Sequence, residues 1–405
     1  MAALKSISIF IAGNAVSSDL QGAYLARTIL AVNPDVHLWG SGGDRMKSAG
    51  VEVLVRSDHV GCVDAIAAFS LLRETRKVLA EQKRILAGKR PDLAILIDNE
   101  GYCNKRLAQF LDRQGIPTIY YFPPLVWLWG SWRAHRIARH AKAIITGFPK
   151  DVEIYRKAGG AAVYFGNPLV DILAETPGAG GEIAGLLRAP RAKIVGLMPG
   201  SRNHEIELLA PAMLGAAREI QKNHPETGFV LPVAAPHLRS KLEKLIEIAG
   251  MSGKITLVEP GSYATLKECT VVIVAAGTAT IELALLEVPM VVVYRLGTIT
   301  YQLARHLIRT DFIAMPNILT NRRIVPELRQ SEVTIERLVA ETEPFLTSEF
   351  RSDQIKADLK RVRHILGEEK VLEKIARFIL AEASGTSAGS LASYRLPTLP
   401  ASALI

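Results

Sequence analysis

The chain has 405 residues, of which 49% are hydrophobic and 22% charged, which excludes a disordered chain and leaves room for two or three domains. No apolar run reaches the roughly 18 residues of a membrane-spanning helix, and three widely spaced cysteines exclude a CxxC metal site and a disulfide framework. The formal net charge of +9 indicates an anionic partner but leaves nucleic acid, anionic lipid and phosphorylated small molecules open. We therefore expect a cytoplasmic protein.

Short apolar runs alternate with longer helical patterns in the first half of the chain, which indicates βα units and a parallel sheet. The predicted strands are Ile7–Gly13, Val36–Gly40, Leu93–Asp98, Ile116–Phe122, Ala143–Gly147 and Val163–Gly166. The segment 177–190 is rich in Gly, Ala and Pro and is predicted to be an interdomain linker. The alternation then restarts, with predicted strands at Lys193–Met198, Phe229–Val233, Ile255–Val258, Val271–Ala275 and Met290–Tyr294.

These patterns predict an α/β fold with two facing Rossmann-like domains, residues 1–176 and 191–345, and a cleft between them. Ligands in such folds bind at the carboxyl ends of the strands. The charged helical segment 346–383 is expected to pack across both domains. Residues 384–405 are rich in Ser, Ala, Gly and Pro without periodicity and are predicted to be a disordered tail.

A turn with the features of an anion site follows the first strand of the second half. In Met198-Pro-Gly-Ser-Arg202 a predicted strand passes into a predicted helix. The turn exposes backbone N–H groups, and the Arg202 guanidinium can bind phosphate oxygens in a bidentate manner. The alternative is an ordinary strand-to-helix turn with a surface arginine.

A second turn of this kind lies in Ala275-Ala-Gly-Thr-Ala-Thr-Ile-Glu282. Gly277 permits close approach of a ligand, and Thr278 or Thr280 is expected to cap the helix that follows. Glu282 could accept hydrogen bonds from sugar or ribose hydroxyls, or it could merely complement the helix dipole. Two anion-binding turns in one domain favour a diphosphate ligand.

A carboxylate ends the most apolar predicted strand of the first half. The run Leu93-Ala-Ile-Leu-Ile reads as a central strand, and Asp98 follows it directly. A side chain at this edge of the sheet is expected to point into the cleft, where it could act as general base for a hydroxyl nucleophile. The alternative is that Asp98 caps the next turn.

Two apolar segments border basic residues. Val60–Leu72 runs into Arg73, Arg76 and Lys77, and Leu125–Arg133 holds three of the four tryptophans before a basic helix. Aromatic and basic side chains together suit a membrane interface, and they also suit single-stranded nucleic acid. The alternative is a hydrophobic core flanked by a solvated basic helix.

Several familiar cofactor motifs are missing from the sequence. It has no DxD pair, no GxxxxGK[ST] loop and no complete GxGxxG fingerprint. We therefore expect no metal, no ATP hydrolysis and no nicotinamide cofactor.

Six motifs keep the order and spacing of one known family. They are Leu197–Arg202 (LLPGSR in the family), Gly277–Glu282 (GTA-x-x-E), Pro289–Arg295 (PMVV-x-YR), Thr310–Leu319 (ending PN-[IL]-[IL]), Tyr121–Trp129 (Y-x-x-P-x-VWAW) and Phe165–Asp171 (FVGHPLVD). From about Ile7 to Ala383 the chain resembles the lipid-A-disaccharide synthases, which are inverting glycosyltransferases with the two-Rossmann GT-B fold.

The resemblance implies a donor, UDP-2,3-diacylglucosamine, and an acceptor, 2,3-diacylglucosamine 1-phosphate (lipid X). The acceptor 6-hydroxyl would attack the donor anomeric carbon with Asp98 as the candidate base, and UDP would leave without help from a metal. The residues expected to bind UDP or the donor are Gly200, Ser201, Arg202, Gly277, Thr278, Ala279, Glu282 and Asn317.

The same resemblance assigns the first domain to the acceptor and the membrane. The residues expected on this side are Asn14, Asp19, Trp127, Trp129 and Asn167. The acyl chains of both substrates would explain the two apolar segments, Val60–Leu72 and Leu125–Arg133. We also expect peripheral association with the cytoplasmic surface of the inner membrane. A second copy of the chain is a further candidate partner, and nucleic acid is not expected.

Departures from the family pattern cluster in the first domain. Asn14 stands where the family's AGE-x-SGD motif has glutamate, and Asn167 stands for the histidine of GHP. An asparagine can hold a substrate hydroxyl but cannot take its proton, so we expect Asn14→Glu to change the rate only modestly if Asp98 is the base. Three hypotheses stay open: an active disaccharide synthase, a diverged UDP-sugar glycosyltransferase with another acceptor, and a non-catalytic UDP-sugar-binding or membrane-binding paralogue.

Overall fold

The computed structural model describes residues 7–60, 65–97, 102–127, 130–174, 193–259, 261–297 and 311–386, except the side chains of 65–72 and 102. These residues divide into two compact units. The first contains the described residues up to Pro168 and from Glu369 onward, and the second those from Leu169 to Glu368. The predicted linker 177–190 and almost all of the predicted tail, from residue 387, lie outside the described residues.

The first unit is built on a seven-stranded parallel sheet with the order β3-β2-β1-β4-β5-β6-β7. Its strands are β1 Ser8–Gly13, β2 His37–Gly42, β3 Glu52–Arg56, β4 Leu93–Ile97, β5 Thr118–Tyr121, β6 Ala143–Ile145 and β7 Ala162–Val163. Its helices are α1 Val16–Val32, α2 Asp44–Ser48, α3 Ala65–Gly88, α4 Tyr102–Arg113, α5 Arg133–His140, α6 Pro149–Lys157 and the last helix of the chain, α15 Val371–Ser384.

The second unit repeats this arrangement with six parallel strands in the order β10-β9-β8-β11-β12-β13. They are β8 Ile194–Met198, β9 Gly228–Pro232, β10 Ile255–Val258, β11 Val271–Ala275, β12 Met290–Tyr294 and β13 Glu327–Arg329. The helices are α7 Leu169–Ala174, α8 Asn203–Asn223, α9 Arg239–Ile248, α10 Tyr263–Lys267, α11 Ala279–Leu285, α12 Met315–Thr320, α13 Ile335–Thr347 and α14 Glu349–Leu366, with short 3₁₀ turns at Pro236–Leu238 and Gln330–Glu332.

Burial explains why the central strands carry continuous apolar runs. Every residue of β4, β5, β6 and β11 is buried, as expected for parallel strands covered by helices on both faces. The predicted α/β class with two Rossmann-like domains is therefore confirmed, and every predicted strand is present within a few residues of its predicted bounds.

Two short edge strands escaped prediction. In β3 (Glu52–Arg56) a single residue is buried, and β13 (Glu327–Arg329) is only three residues long. Neither has a continuous apolar run as long as those of the central strands β4 and β11.

Each unit has a topological switch point where the strand order reverses. In the first unit it lies between β1 and β4, and the register pairs Gly13 with Ile97. In the second unit it lies between β8 and β11, and the register pairs Met198 with Val274. The segments that follow these strand ends therefore start side by side, which is where such sheets bind ligands.

The predicted segment 346–383 divides between the units, since α14 belongs to the second and α15 to the first. α15 packs on α1, and Glu382 pairs with Lys142 at 2.8 Å. α7 belongs to the second unit although the sequence placed residues up to 176 in the first domain. Packing across both domains stays a prediction. Among the described helices, none combines the length and hydropathy needed to span a bilayer.

Candidate functional site

A cavity of about 400 Å³ lies in the second unit, at the carboxyl ends of β8 and β11. Both turns that the sequence singled out line it, together with residues at or after the end of β9 and around α10: Pro232, Ala234, Gly261, Tyr263 and Leu266. The predicted donor-binding residues that line it are Gly200, Ser201, Arg202, Gly277, Thr278, Ala279 and Glu282. The register of β8 with β11 explains this convergence, because the two turns leave adjacent strand ends.

Glycine is required at both turns. Gly200 has φ +114° and Gly277 has φ +153°, a backbone region that other residues rarely adopt. A Cβ on Gly200 would collide with the Glu205 carboxylate, whereas a Cβ on Gly277 would meet open space. Gly200 is therefore fixed by packing as well as by conformation.

The first turn already binds a carboxylate. Glu205, in the first turn of α8, accepts hydrogen bonds from the backbone N–H of Ser201 at 2.9 Å and of Arg202 at 3.3 Å. The Arg202 guanidinium donates to the same carboxylate at 2.8 Å. The Glu205 carboxylate thus caps the first turn of α8, which is one half of a capping box, because a guanidinium cannot accept a hydrogen bond. The turn binds a carboxylate of its own helix, and its binding of phosphate stays a prediction. Glu205 is a cavity-lining residue that the sequence analysis missed.

Glu282, in the first turn of α11, also lines the cavity. Burial raises the pKa of its carboxyl above the usual value, and a hydrogen bond from the Tyr263 hydroxyl acts in the opposite direction. Tyr263 also lines the cavity. A partly buried acid beside a tyrosine hydroxyl suits hydrogen bonding to hydroxyl groups of a ligand rather than contact with a diphosphate.

The expected threonine cap of α11 is wrong. Thr278 occupies the N-cap position, but no side chain caps the helix there. The Thr280 hydroxyl donates to the Gly277 carbonyl at 2.7 Å and accepts from the Met315 N–H at 3.3 Å. Thr280 therefore joins α11 to the start of α12.

Asn317 lies apart from the described cavity lining. Its side chain is completely buried, and its Nδ2 donates to the Val325 carbonyl and to Glu327 at 2.9 and 2.8 Å. Its Oδ1 accepts from the N–H groups of Ile324 and Val325 at 2.8 and 2.9 Å. In this arrangement the amide organises the segment before β13, so the predicted role at the nucleotide finds no support in its contacts.

In the first unit, Asn14 is also buried and bonded internally. Its Nδ2 donates to Oδ1 of Asn104 at 2.6 Å, and its Oδ1 accepts from Nε2 of Gln82 at 3.1 Å. Asn14 immediately follows β1, and Asp98 immediately follows β4. Asp98 itself lies outside the described residues.

Two other predicted acceptor-side residues hold backbone turns. The Asp19 carboxylate accepts from the N–H groups of Gly43, Arg45 and Met46 at 2.7, 3.1 and 3.2 Å, which anchors the start of α2. Nδ2 of the buried Asn167 donates to the Gly147 carbonyl at 3.2 Å. These contacts give both residues a structural function.

The aromatic segment divides between interior and surface. Trp127 is half-buried and packs edge to face on Phe148, with ring centroids 6.5 Å apart. Trp129 lies outside the described residues. Trp132 is 63% exposed at the N-cap of the basic helix α5, with the Arg136 guanidinium 5.2 Å from its ring centroid.

Comparison with known proteins agrees with this architecture. Two solved structures share the fold: a UDP-GlcNAc 2-epimerase from Neisseria meningitidis bound to UDP-GlcNAc (TM-score 0.61, 10% identity, 94% of this chain and 99% of that chain) and a kitacinnamycin glycotransferase (TM-score 0.61, 15% identity, 93% and 99%). At 33% identity over 372 residues, the chain is similar to the lipid-A-disaccharide synthase of Geobacter sulfurreducens, covering 92% of this chain and 96% of the relative. The model of the lipid-A-disaccharide synthetase family matches residues 9–381. The chain therefore belongs to the lipid-A-disaccharide synthase family of glycosyltransferases, as its sequence motifs had indicated.

Proposed function

We propose that this chain joins UDP-2,3-diacylglucosamine to 2,3-diacylglucosamine 1-phosphate, forming the β-1,6-linked disaccharide precursor of lipid A and releasing UDP. Family membership supports the reaction. The observation that carries the assignment to this molecule is the cavity of the second unit, where two anion-binding turns from adjacent strands meet.

The cavity suits a nucleoside diphosphate. Arg202 and the N–H groups at the start of α8 would bind the diphosphate and stabilise the negative charge that develops on departing UDP. Glu282 and Tyr263 both line the cavity and are joined by a hydrogen bond. They would form hydrogen bonds with hydroxyl groups of the ribose or of the sugar.

The first unit would supply the base. The acceptor 6-hydroxyl attacks the donor anomeric carbon while its proton passes to the Asp98 carboxylate. The new C–O bond forms as the bond from the anomeric carbon to the UDP oxygen breaks, and UDP leaves with the bonding electrons. The rigidity of β4, whose residues are all buried, supports this role for the residue that follows it.

The direct test is release of UDP from the diacylated donor in the presence of lipid X. We expect release that depends on both substrates and a disaccharide product that contains both sugars. Release with another sugar acceptor but not with lipid X would favour a diverged glycosyltransferase. UDP binding without release under any acceptor would favour a non-catalytic paralogue.

Replacing Glu205 tests how the diphosphate enters the site. Glu205→Gln keeps an oxygen that accepts the Ser201 N–H but removes the charge that faces Arg202, so UDP should bind about two- to fivefold more tightly, since a partly exposed ion pair is worth about 0–1 kcal/mol. Titration calorimetry with UDP and with uridine measures the effect, and uridine affinity should not change. Weaker UDP binding would show that Glu205 organises the site rather than competing for it.

Peripheral membrane association is part of the proposal. Trp132 is exposed beside the basic helix α5, and basic side chains attract anionic headgroups. Trp132→Ser should weaken binding to vesicles of phosphatidylglycerol and phosphatidylethanolamine roughly three- to tenfold, because loss of the indole removes on the order of 1 kcal/mol of apolar burial.

Vesicle flotation measures this effect, and UDP affinity should stay constant. Phe350→Ser is the matched control, because Phe350 is an exposed aromatic of α14 in the second unit. Salt should also release the wild-type protein in part. Equal losses for both variants, or no vesicle binding by the wild type at low salt, would contradict the membrane proposal.

A further inference from the structure

We propose that Asn14, Gln82 and Asn104 form a positioning network, hereafter the amide network, that fixes the end of β4 from which Asp98 continues. The inference rests on the proposed function, because it assigns the network to the placement of the base. It also gives a physical reason for asparagine at position 14, where the family motif has glutamate.

The amide network is continuous and buried. Nε2 of Gln82 donates to Oγ of Ser41 at 2.7 Å and to Oδ1 of Asn14 at 3.1 Å. Nδ2 of Asn14 donates to Oδ1 of Asn104 at 2.6 Å. Nδ2 of Asn104 then donates to the backbone carbonyl of Ile97 at 3.1 Å. The three amide side chains are at most 8% exposed, so water cannot replace these bonds without opening the unit.

The carbonyl of Ile97 sets the direction of the network. A carbonyl oxygen only accepts, so Asn104 turns its NH₂ group toward Ile97 and its oxygen toward position 14. The residue at position 14 must then be a donor. Asparagine meets this requirement, whereas an ionised carboxylate would place two acceptors together, and loss of a buried hydrogen bond costs about 1–3 kcal/mol.

The amide network lies at the switch point of the first sheet, next to the strand end that the proposed base follows. Gly13 and Ile97 are paired in the parallel register at the switch point of the first sheet. In the sequence, Asn14 and Asp98 are the next residues after these two strands, and the amide network joins Asn14 to the end of β4. We therefore expect a change at position 14 to disturb the strand end from which the chain continues to the base.

From the amide network we expect a larger effect of Asn14→Glu than the modest change of rate expected from the sequence alone. In this chain the longer carboxylate would meet the oxygen of Asn104, so we expect Asn14→Glu to be as damaging as loss of the donor.

The test uses the isosteric change Asn14→Asp in the full-length protein. We expect kcat to fall at least tenfold, while the KM values of both substrates and the Kd of UDP change less than twofold. Asn33→Asp makes the same chemical change at the surface of the first unit, where the Asn33 side chain accepts a hydrogen bond from the Asp35 N–H, and it should behave as wild type. If Asn14→Asp fails to fold, Gln82→Glu changes a donor one bond farther from Ile97 and should give a smaller loss of kcat.

The same substitution in an Asp98→Asn protein distinguishes a positioning role of Asn14 from a general loss of structure. In an Asp98→Asn protein the network has no base to place, so Asn14→Asp should cause no further loss of kcat. A further loss of the same size in that background would overturn the proposal, as would wild-type kcat for Asn14→Asp. A harmless Asp98→Asn would instead refute the assignment of the base, and the proposal would fall with it.

Discussion

Asp98→Asn should lower turnover by a factor of about 10²–10⁴, the usual contribution of a general base. The amide cannot take the proton of the acceptor hydroxyl, although it is close to the carboxylate in size. Steady-state assays of UDP release give kcat, and calorimetry gives UDP affinity. The affinity should stay unchanged, because the candidate nucleotide cavity is lined by residues of the second unit.

Asp112→Asn is the matched control for this change. Asp112 is a half-exposed carboxylate on the same unit, paired with His140 at 2.8 Å, and loss of such a pair costs at most about 1 kcal/mol of stability. It should retain wild-type turnover. An active Asp98→Asn protein together with a strong gain from Asn14→Glu would mean that position 14, not Asp98, is the site of proton transfer.

Arg202→Ala should weaken UDP binding about tenfold or more, since a charge-assisted hydrogen bond to phosphate contributes about 1.5–3 kcal/mol. Uridine should bind the variant and the wild type equally, because it lacks the diphosphate. Titration calorimetry measures both ligands. EDTA should change neither binding nor turnover if Arg202 and the helix N–H groups carry the diphosphate charge.

Arg218→Ala is the control for the arginine change. Arg218 lies on the same helix, its side chain is 48% exposed like that of Arg202, and it also pairs with a neighbouring glutamate. It is absent from the described lining of the cavity. Equal losses of UDP affinity in both variants would indicate a general electrostatic effect and would remove Arg202 from the site.

The fold was predictable where burial dominates the sequence. The strands Val271–Ala275 and Met290–Tyr294 have their predicted bounds, because strands covered on both faces require continuous apolar runs. Ile255–Val258 also has its predicted bounds, although only Ile255 of this edge strand is buried. The edge strand Glu52–Arg56 was missed because its apolar run is only three residues long, between Glu52 and Arg56.

The two turns of the candidate site could be predicted from the sequence, but the hydrogen bonds of its side chains could not. Glycines with positive φ and the strand register are encoded locally, so the turns at Gly200 and Gly277 could be anticipated together with their proximity. The partners of Asn317 and Thr280 lie on other elements, and the sequence could not show that their polar groups were already in use. Glu205 was detectable as an acid at the third helical position, from which a carboxylate can accept the N–H of the N-cap residue Arg202.

The return of α15 to the first unit has a consequence for synthesis on the ribosome. The core of that unit includes Ile375, Phe378 and Ile379, which the ribosome adds only after the whole of 169–368. Domains that are continuous in sequence can fold in the order in which they emerge. Here the emerging α1 must wait for its helical partner until the second unit has been made. The unit that begins the chain is therefore the last to be completed.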